Sequence, residues 1–128
     1  MYKNFLPCWF LLCIPFIMAA DPLLVVTIMV KNEESVIQKT LEPFLKADPY
    51  AKQIAYLVFD TGSSDKTIEK ADELFKTYFC KNYKIFQEPF VDFSTSRNRA
   101  LDLTEQCYPD ATFVLMPDAE WYIHDVPG

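Results

Sequence analysis

The sequence predicts an α/β fold on a parallel sheet, and three observations carry that prediction. Apolar, β-rich runs alternate along the chain with segments of helical periodicity. The first run, Leu23 to Val30, "LLVVTIMV", is continuous rather than alternating, as a strand buried on both faces requires. The resulting order β-α-β-α-β-α-β demands right-handed crossovers, with helices on both faces of the sheet.

The elements follow in order. After the first strand, Asn32 to Lys46 carries Val36, Ile37, Leu41, Phe44 and Leu45 close to a helical stripe, with Pro43 expected to kink or end that helix. Ile54 to Phe59 is the second strand. Ser63, Ser64 or Asp65 can cap the helix after it, whose face reads Ile68, Ala71, Leu74, Phe75 and Tyr78. Tyr83 to Gln87 is a short third strand stopped by Pro89. A third helix is expected from about Ser94-Thr95-Ser96, burying Ala100, Leu101, Leu103 and Cys107. Thr112 to Met116, "TFVLM", reads as a fourth, buried strand, which Pro117 stops by removing a ladder donor.

The opening stretch stands apart. Lys3 is the only charge before Asp21, Phe5 to Ala20 is apolar, and Ala19-Ala20 precede Asp21-Pro22. That is the layout of a secretory signal peptide over residues 1–20, leaving residues 21–128 as the domain. An uncleaved anchor, a mis-called start and a buried segment are the other readings. The run is short for a span and is broken by Pro7 and Pro15. A genuine leader implies an exported or membrane-anchored protein, and otherwise a cytoplasmic one.

Composition narrows the function. The net charge is −6 with no basic run, which argues against nucleic acid. Only two glycines, Gly62 and Gly128, leave no GxGxxG fingerprint and no P-loop. His124 is the single histidine, so a His-rich zinc site is excluded and a packing role is its default. Cys8 and Cys13 fall in the leader; Cys80 and Cys107 read as two separate buried thiols, although export would permit their oxidation. Phe90, Phe93, Trp121 and Tyr122 read as core or lid residues ahead of base-stacking ones.

The acids are the informative residues. In an open parallel sheet, ligands gather beyond the carboxyl ends of the strands. Asn32 and Glu33 follow the first strand, Asp60 closes the second, and Asp118 and Glu120 follow the fourth. In "YLVFDTGSSDKT", Gly62 suits a positive φ and Asp65 suits a cap, but that turn does not require an acid at position 60. Asp60 is a cap, a metal ligand or a contact to a bound molecule. In "MPDAEW", two carboxylates one residue apart can reach one hard cation, Mg²⁺ or Mn²⁺, completed by substrate phosphates; a solvated acidic loop is the plainer reading. "STSRNRAL" places Arg97 and Arg99 in the first turn of the third helix, where a cation opposes the helix dipole. An anionic ligand would explain such an arginine, and a surface pair with Asp92 or Asp102 would do so without function.

Taken together, "TIMVKNEE", "VFDTGSSDKT", "STSRNRAL" and the acid-x-acid after the fourth strand resemble the nucleotide-sugar-binding half of GT-A glycosyltransferases of family 2, over about Leu23 to Trp121. The resemblance implies a Rossmann-like GT-A half-domain and a UDP- or GDP-sugar donor. It places the base contact on Asp60, the nucleoside end on Asn32 and Glu33, a nucleotide contact on Arg97, and the divalent metal on Asp118 and Glu120. The second acid is glutamate where the family pattern has aspartate. In that family the acceptor-binding half and the general base lie further along, here beyond Gly128, so none of these residues is assigned as catalytic. The expectation is therefore a fragment of an inverting transferase that binds donor with little or no transfer. Two rivals remain: a non-catalytic secreted nucleotide- or sugar-binding or interaction module, and a phosphatase or phosphoacceptor domain with Asp60 as nucleophile. The second rival lacks the expected Asp-x-Asp-x-Thr pattern.

Overall fold

Strands and helices alternate strictly: β1 (Leu24–Val30), α1 (Ile37–Ala47), β2 (Ile54–Asp60), α2 (Thr67–Thr77), β3 (Tyr83–Gln87), α3 (Phe93–Cys107) and β4 (Phe113–Leu115). The computed structural model describes residues 23–49 and 52–120. The expected leader, together with Trp121, Tyr122 and His124, lies outside the described residues. Among the described residues no helix is long and apolar enough to cross a membrane.

All pairings are parallel, in the order β3-β2-β1-β4. β1 runs alongside β2 from Leu24–Ile54 to Val30–Asp60, and alongside β4 from Leu24–Phe113 to Val26–Leu115. The chain thus winds outward from β1 to β3, then returns to β1's other side. Between β1 and β4 lies a topological switch point, where the winding direction reverses: α1 and α2 cover one face of the sheet and α3 the other.

Side-chain alternation divides the core in two. Val26, Ile28, Tyr56 and Val58 face α1 and α2, where Ile37, Leu41, Ala71 and Phe75 complete one layer. Leu57 and Phe59 face α3, meeting Ala100 and Leu103. A buried hydroxyl pair, Thr27 with Thr104 at 2.6 Å, joins β1 to α3, and Thr104 is also 2.9 Å from the Ala100 carbonyl.

Several boundaries differ from expectation. α1 starts at Ile37 because Asn32 sits at φ 55° and the Glu33 carbonyl first closes a turn on Val36 and Ile37. Pro43 does not end α1, which runs on to Ala47. An interior proline costs about 3 kcal/mol, but Leu41, Phe44 and Leu45 beside it are buried, each worth about 1.5–3 kcal/mol. α3 starts at Phe93, earlier than expected, because Asp92 caps it through Thr95 N–H. Leu101 is exposed rather than buried. β4 is also shorter than expected, and exposed: it is an outer strand of the sheet, and Phe113, Val114 and Leu115 all reach solvent.

Candidate functional site

The site is built from the loops that leave the carboxyl ends of β1, β2 and β4. Val30 of β1 aligns with Asp60 of β2, and Met29 of β1 bridges to Asp118 beyond β4. Asp60 and Asp118 therefore flank β1 at the same end of the sheet. With strands about 4.8 Å apart, their backbones lie roughly 10 Å from each other. The acids separated in sequence do share one rim.

A cleft of about 550 Å³ opens at this rim, walled by Met29, Val30, Lys31, Glu33, Thr61, Phe90, Phe93, Asp118, Ala119 and Glu120. Its position at the β1–β4 switch point is where an open α/β sheet receives ligands.

The acid loop is anchored through its middle residue. Ala119 is buried in the layer beneath α1, and its carbonyl accepts from the Thr40 hydroxyl of that helix. Asp118 and Glu120 on either side are exposed in the cleft wall. The charge of Glu120 reaches Glu33: burial first, then the negative charges of Glu120 and Asp65, hold the Glu33 carboxyl above its ordinary range. Three acids and one lysine make a wall that repels a bare diphosphate. A divalent cation would reverse that field. Among the described residues no three His, Cys, Asp or Glu side chains group to hold a metal. Asp118 and Glu120 suit a hard cation that takes its other oxygens from ligand and water, as Mg²⁺ does.

Asp60 is wholly buried, at 0% exposure. One carboxylate oxygen accepts from the N–H groups of Gly62 (3.0 Å) and Ser63 (2.9 Å), and the other from the Ser63 hydroxyl. The turn therefore does employ the acid at position 60, which the sequence reading did not require. Gly62 has φ 113°, as expected for this turn. Asp65 serves α2 by accepting from Thr67 N–H and hydroxyl, and it also receives Glu34 N–H from the β1–α1 loop.

Asn32 belongs to the same seam. Its side-chain oxygen accepts from Ser64 N–H at 2.8 Å, and its own N–H donates to the Ser63 hydroxyl oxygen at 2.8 Å. Glu33 N–H donates to Thr67 Oγ1 at 2.8 Å. The β1 and β2 loops are thereby sewn together beneath the rim. Glu33, Asp118 and Glu120 share the cleft wall; Asn32, which is exposed, and Asp60, which is buried, are not part of it, and Thr61 is the wall residue next to Asp60.

The arginines depart most from expectation. With α3 starting at Phe93, Arg97 and Arg99 fall in its second turn, so the argument from the helix dipole does not apply to them. Arg99 forks onto Glu88 at 2.9–3.1 Å, a partner not considered among the neighbouring aspartates. Arg97 is exposed and outside the cleft wall.

Sequence reasoning missed Lys31, Thr61 and Thr40, because no local pattern marks a wall residue or a carbonyl-binding hydroxyl. Of the two readings of Phe90 and Phe93, core or lid, the structure removes the first: they are 39% and 73% exposed in the cleft wall. Each forgoes part of the roughly 1.5–3 kcal/mol that full burial of a phenyl ring would yield.

Comparison with known proteins agrees with this architecture. S. aureus TarS 1-349 superposes with a TM-score of 0.64 at 24% identity, covering 78% of this chain and 28% of that one. Its complex with UDP gives 0.61 at 25% identity over the same shares, and its complex with UDP-GlcNAc gives 0.64 at 24% over 78% and 27%. This chain thus spans little more than a quarter of those structures. A search of curated proteins matches none. The family description "Glycosyl transferase family 2" matches residues 25–119, from within β1 to the middle of the acid loop. On that match, which takes in every strand and helix described above, the chain belongs to glycosyl transferase family 2.

Proposed function

We propose that these residues form the donor-binding part of a glycosyltransferase, taking a nucleoside-diphosphate sugar in the cleft between β1 and β4. The observation that carries this reading is the meeting of Asp118, Glu120 and Glu33 in one cleft wall at the switch point of the sheet. Family membership and the likeness to a TarS structure that holds UDP support it. Asp118 and Glu120 would hold Mg²⁺ or Mn²⁺. Such an ion, when bound, supplies Lewis-acid stabilisation of the departing diphosphate.

The chain's own residues have distinct tasks. Glu33 adds negative charge beside Glu120 and so raises the preference of the wall for a cation over an anion. Asp60 holds the β2 turn and is wholly buried, so contact with a base requires the turn that covers it to move. Arg97 is kept as a nucleotide contact that requires its long side chain to swing toward the rim. Sugar transfer belongs to the complete catalytic unit, to which these residues would contribute the donor site.

Calorimetric titration with UDP, with and without Mn²⁺, tests the reading. The expected result is tighter binding with Mn²⁺, a gain that Asp118→Asn removes. Asp60→Asn should weaken UDP with or without the ion. Affinity indifferent to Mn²⁺ and to Asp118→Asn would refute the metal-assisted donor site.

A further inference from the structure

We propose that Phe90 and Phe93 form an aromatic wall that takes the flat face of the donor's base. This rests on the cleft being a nucleotide-sugar site, and it adds the part of the ligand that the two rings hold. Both rings line the same cleft as Asp118 and Glu120. They meet edge to face, with centroids 5.2 Å apart and planes at 76°. That arrangement engages the rim of one ring and leaves broad π surface for a further flat partner.

The backbone presenting the rings is held on both sides. Asp92 accepts from Thr95 N–H at 2.7 Å and from the Thr95 hydroxyl at 2.9 Å, and Val91 N–H donates to the buried Ser96 hydroxyl oxygen at 3.3 Å. Rings on a pinned loop-to-helix junction lose less freedom on binding than rings on a slack loop.

The remaining wall sorts the ends of the ligand. Glu33, Asp118 and Glu120 admit the diphosphate only through a cation, which draws the charged end toward the acid loop. The uncharged planar end is then left for the phenyl faces. A sugar ring offers such a wall only small C–H faces between its hydroxyls, whereas every base offers a continuous π face. The cleft, at about 550 Å³, falls in the range of roughly 300–1,000 Å³ that suits small-molecule ligands. Because stacking is tolerant of base identity, the wall holds uracil and guanine alike and leaves discrimination to other contacts.

The test compares Phe93→Ala, Phe90→Ala and Phe93→Trp with the wild-type chain, titrated in Mg²⁺ with UDP, GDP, UDP-glucose and inorganic pyrophosphate. Phe93 is largely exposed, so Phe93→Ala should fold, as circular dichroism would verify. The expected result is a loss of about ten-fold in affinity for UDP and GDP on Phe93→Ala. Pyrophosphate affinity should be unchanged, and Phe93→Trp should retain nucleotide binding. Equal loss for pyrophosphate would overturn the proposal, because the rings would then only support the metal end. Loss confined to UDP-glucose would assign the rings to the sugar and overturn it likewise. Unchanged affinity for all four in both alanine variants would leave the rings as a protein-docking surface, against the proposal. If the wild-type chain binds neither nucleotide nor pyrophosphate, the donor-site reading itself fails. If it binds both while the variants are indifferent, only the aromatic wall falls.

Discussion

The hydroxyl of Thr40, buried on α1, donates to the carbonyl of Ala119, the residue between the two exposed acids of the cleft. A valine there would keep the shape and leave that buried carbonyl without its donor. Thr40→Val is expected to cost about 1–3 kcal/mol, as for other buried acceptors deprived of a partner. Urea unfolding would measure it. The same change should shrink the Mn²⁺-dependent gain in UDP affinity, and Thr40→Ser should restore it. Nothing in the sequence marks Thr40, since a threonine in a helix has no pattern that names a partner 79 positions away. Asp118 and Glu120 were legible because strand-terminal acids in a parallel sheet have only one rim to occupy. Asp60 was legible as a rim residue, but its use by the Gly62–Ser63 turn depends on local φ values that sequence does not display.

At the scale of elements, one carboxylate ties the end of α1 to the start of β2. Asp48 follows α1 and accepts from Lys52 N–H at 3.1 Å and from Gln53 and Ile54 N–H at 2.8 Å each. Burial pushes its carboxyl up, but the three N–H groups outweigh burial and hold it below the ordinary aspartate value of 3.8. The folded state therefore binds this proton more weakly than the unfolded state does. The stability from Asp48 is present above about pH 4 and is lost as pH falls through the depressed folded value. Asp48→Ala is expected to destabilise the fold by about 1–2 kcal/mol at pH 7. The deficit should narrow toward pH 3, and paired urea titrations at the two pH values would check it. Element types were legible because periodicity is a local property. Boundaries were not, where the deciding group came from elsewhere: Asp92 set the start of α3, and the packing of Leu41, Phe44 and Leu45 carried α1 through Pro43.

For the whole molecule, the sheet separates two cores and thereby two thiols. Cys80 is buried beneath α2, and Cys107 packs on the α3 side; both are free. Burial, with a smaller push from Asp48 and against Asn82 N–H, raises the Cys80 thiol above its ordinary range. Mapping after alkylation at pH 8 is expected to show Cys107 modified in the native chain and Cys80 only after denaturation. A Cys80–Cys107 disulfide in oxidised protein would contradict the two-core arrangement. The exposed outer edge at β4 belongs to this scale as well. Its side chains read as buried because sequence reports apolarity but not whether another element lies alongside.

By itself the sequence determined the alternation of strands and helices, the parallel sheet that follows from it, and the rim on which the acids gather. Each rests on short-range periodicity or on the handedness of crossovers. Only the tertiary structure decided that β1 lies between β2 and β4, that Glu33 shares a wall with Asp118 and Glu120, that Arg97 stands outside it, and that Phe90 and Phe93 face solvent in the cleft. Those outcomes depend on which strands pair and which surfaces are covered, and such pairings are made between residues far apart in the chain.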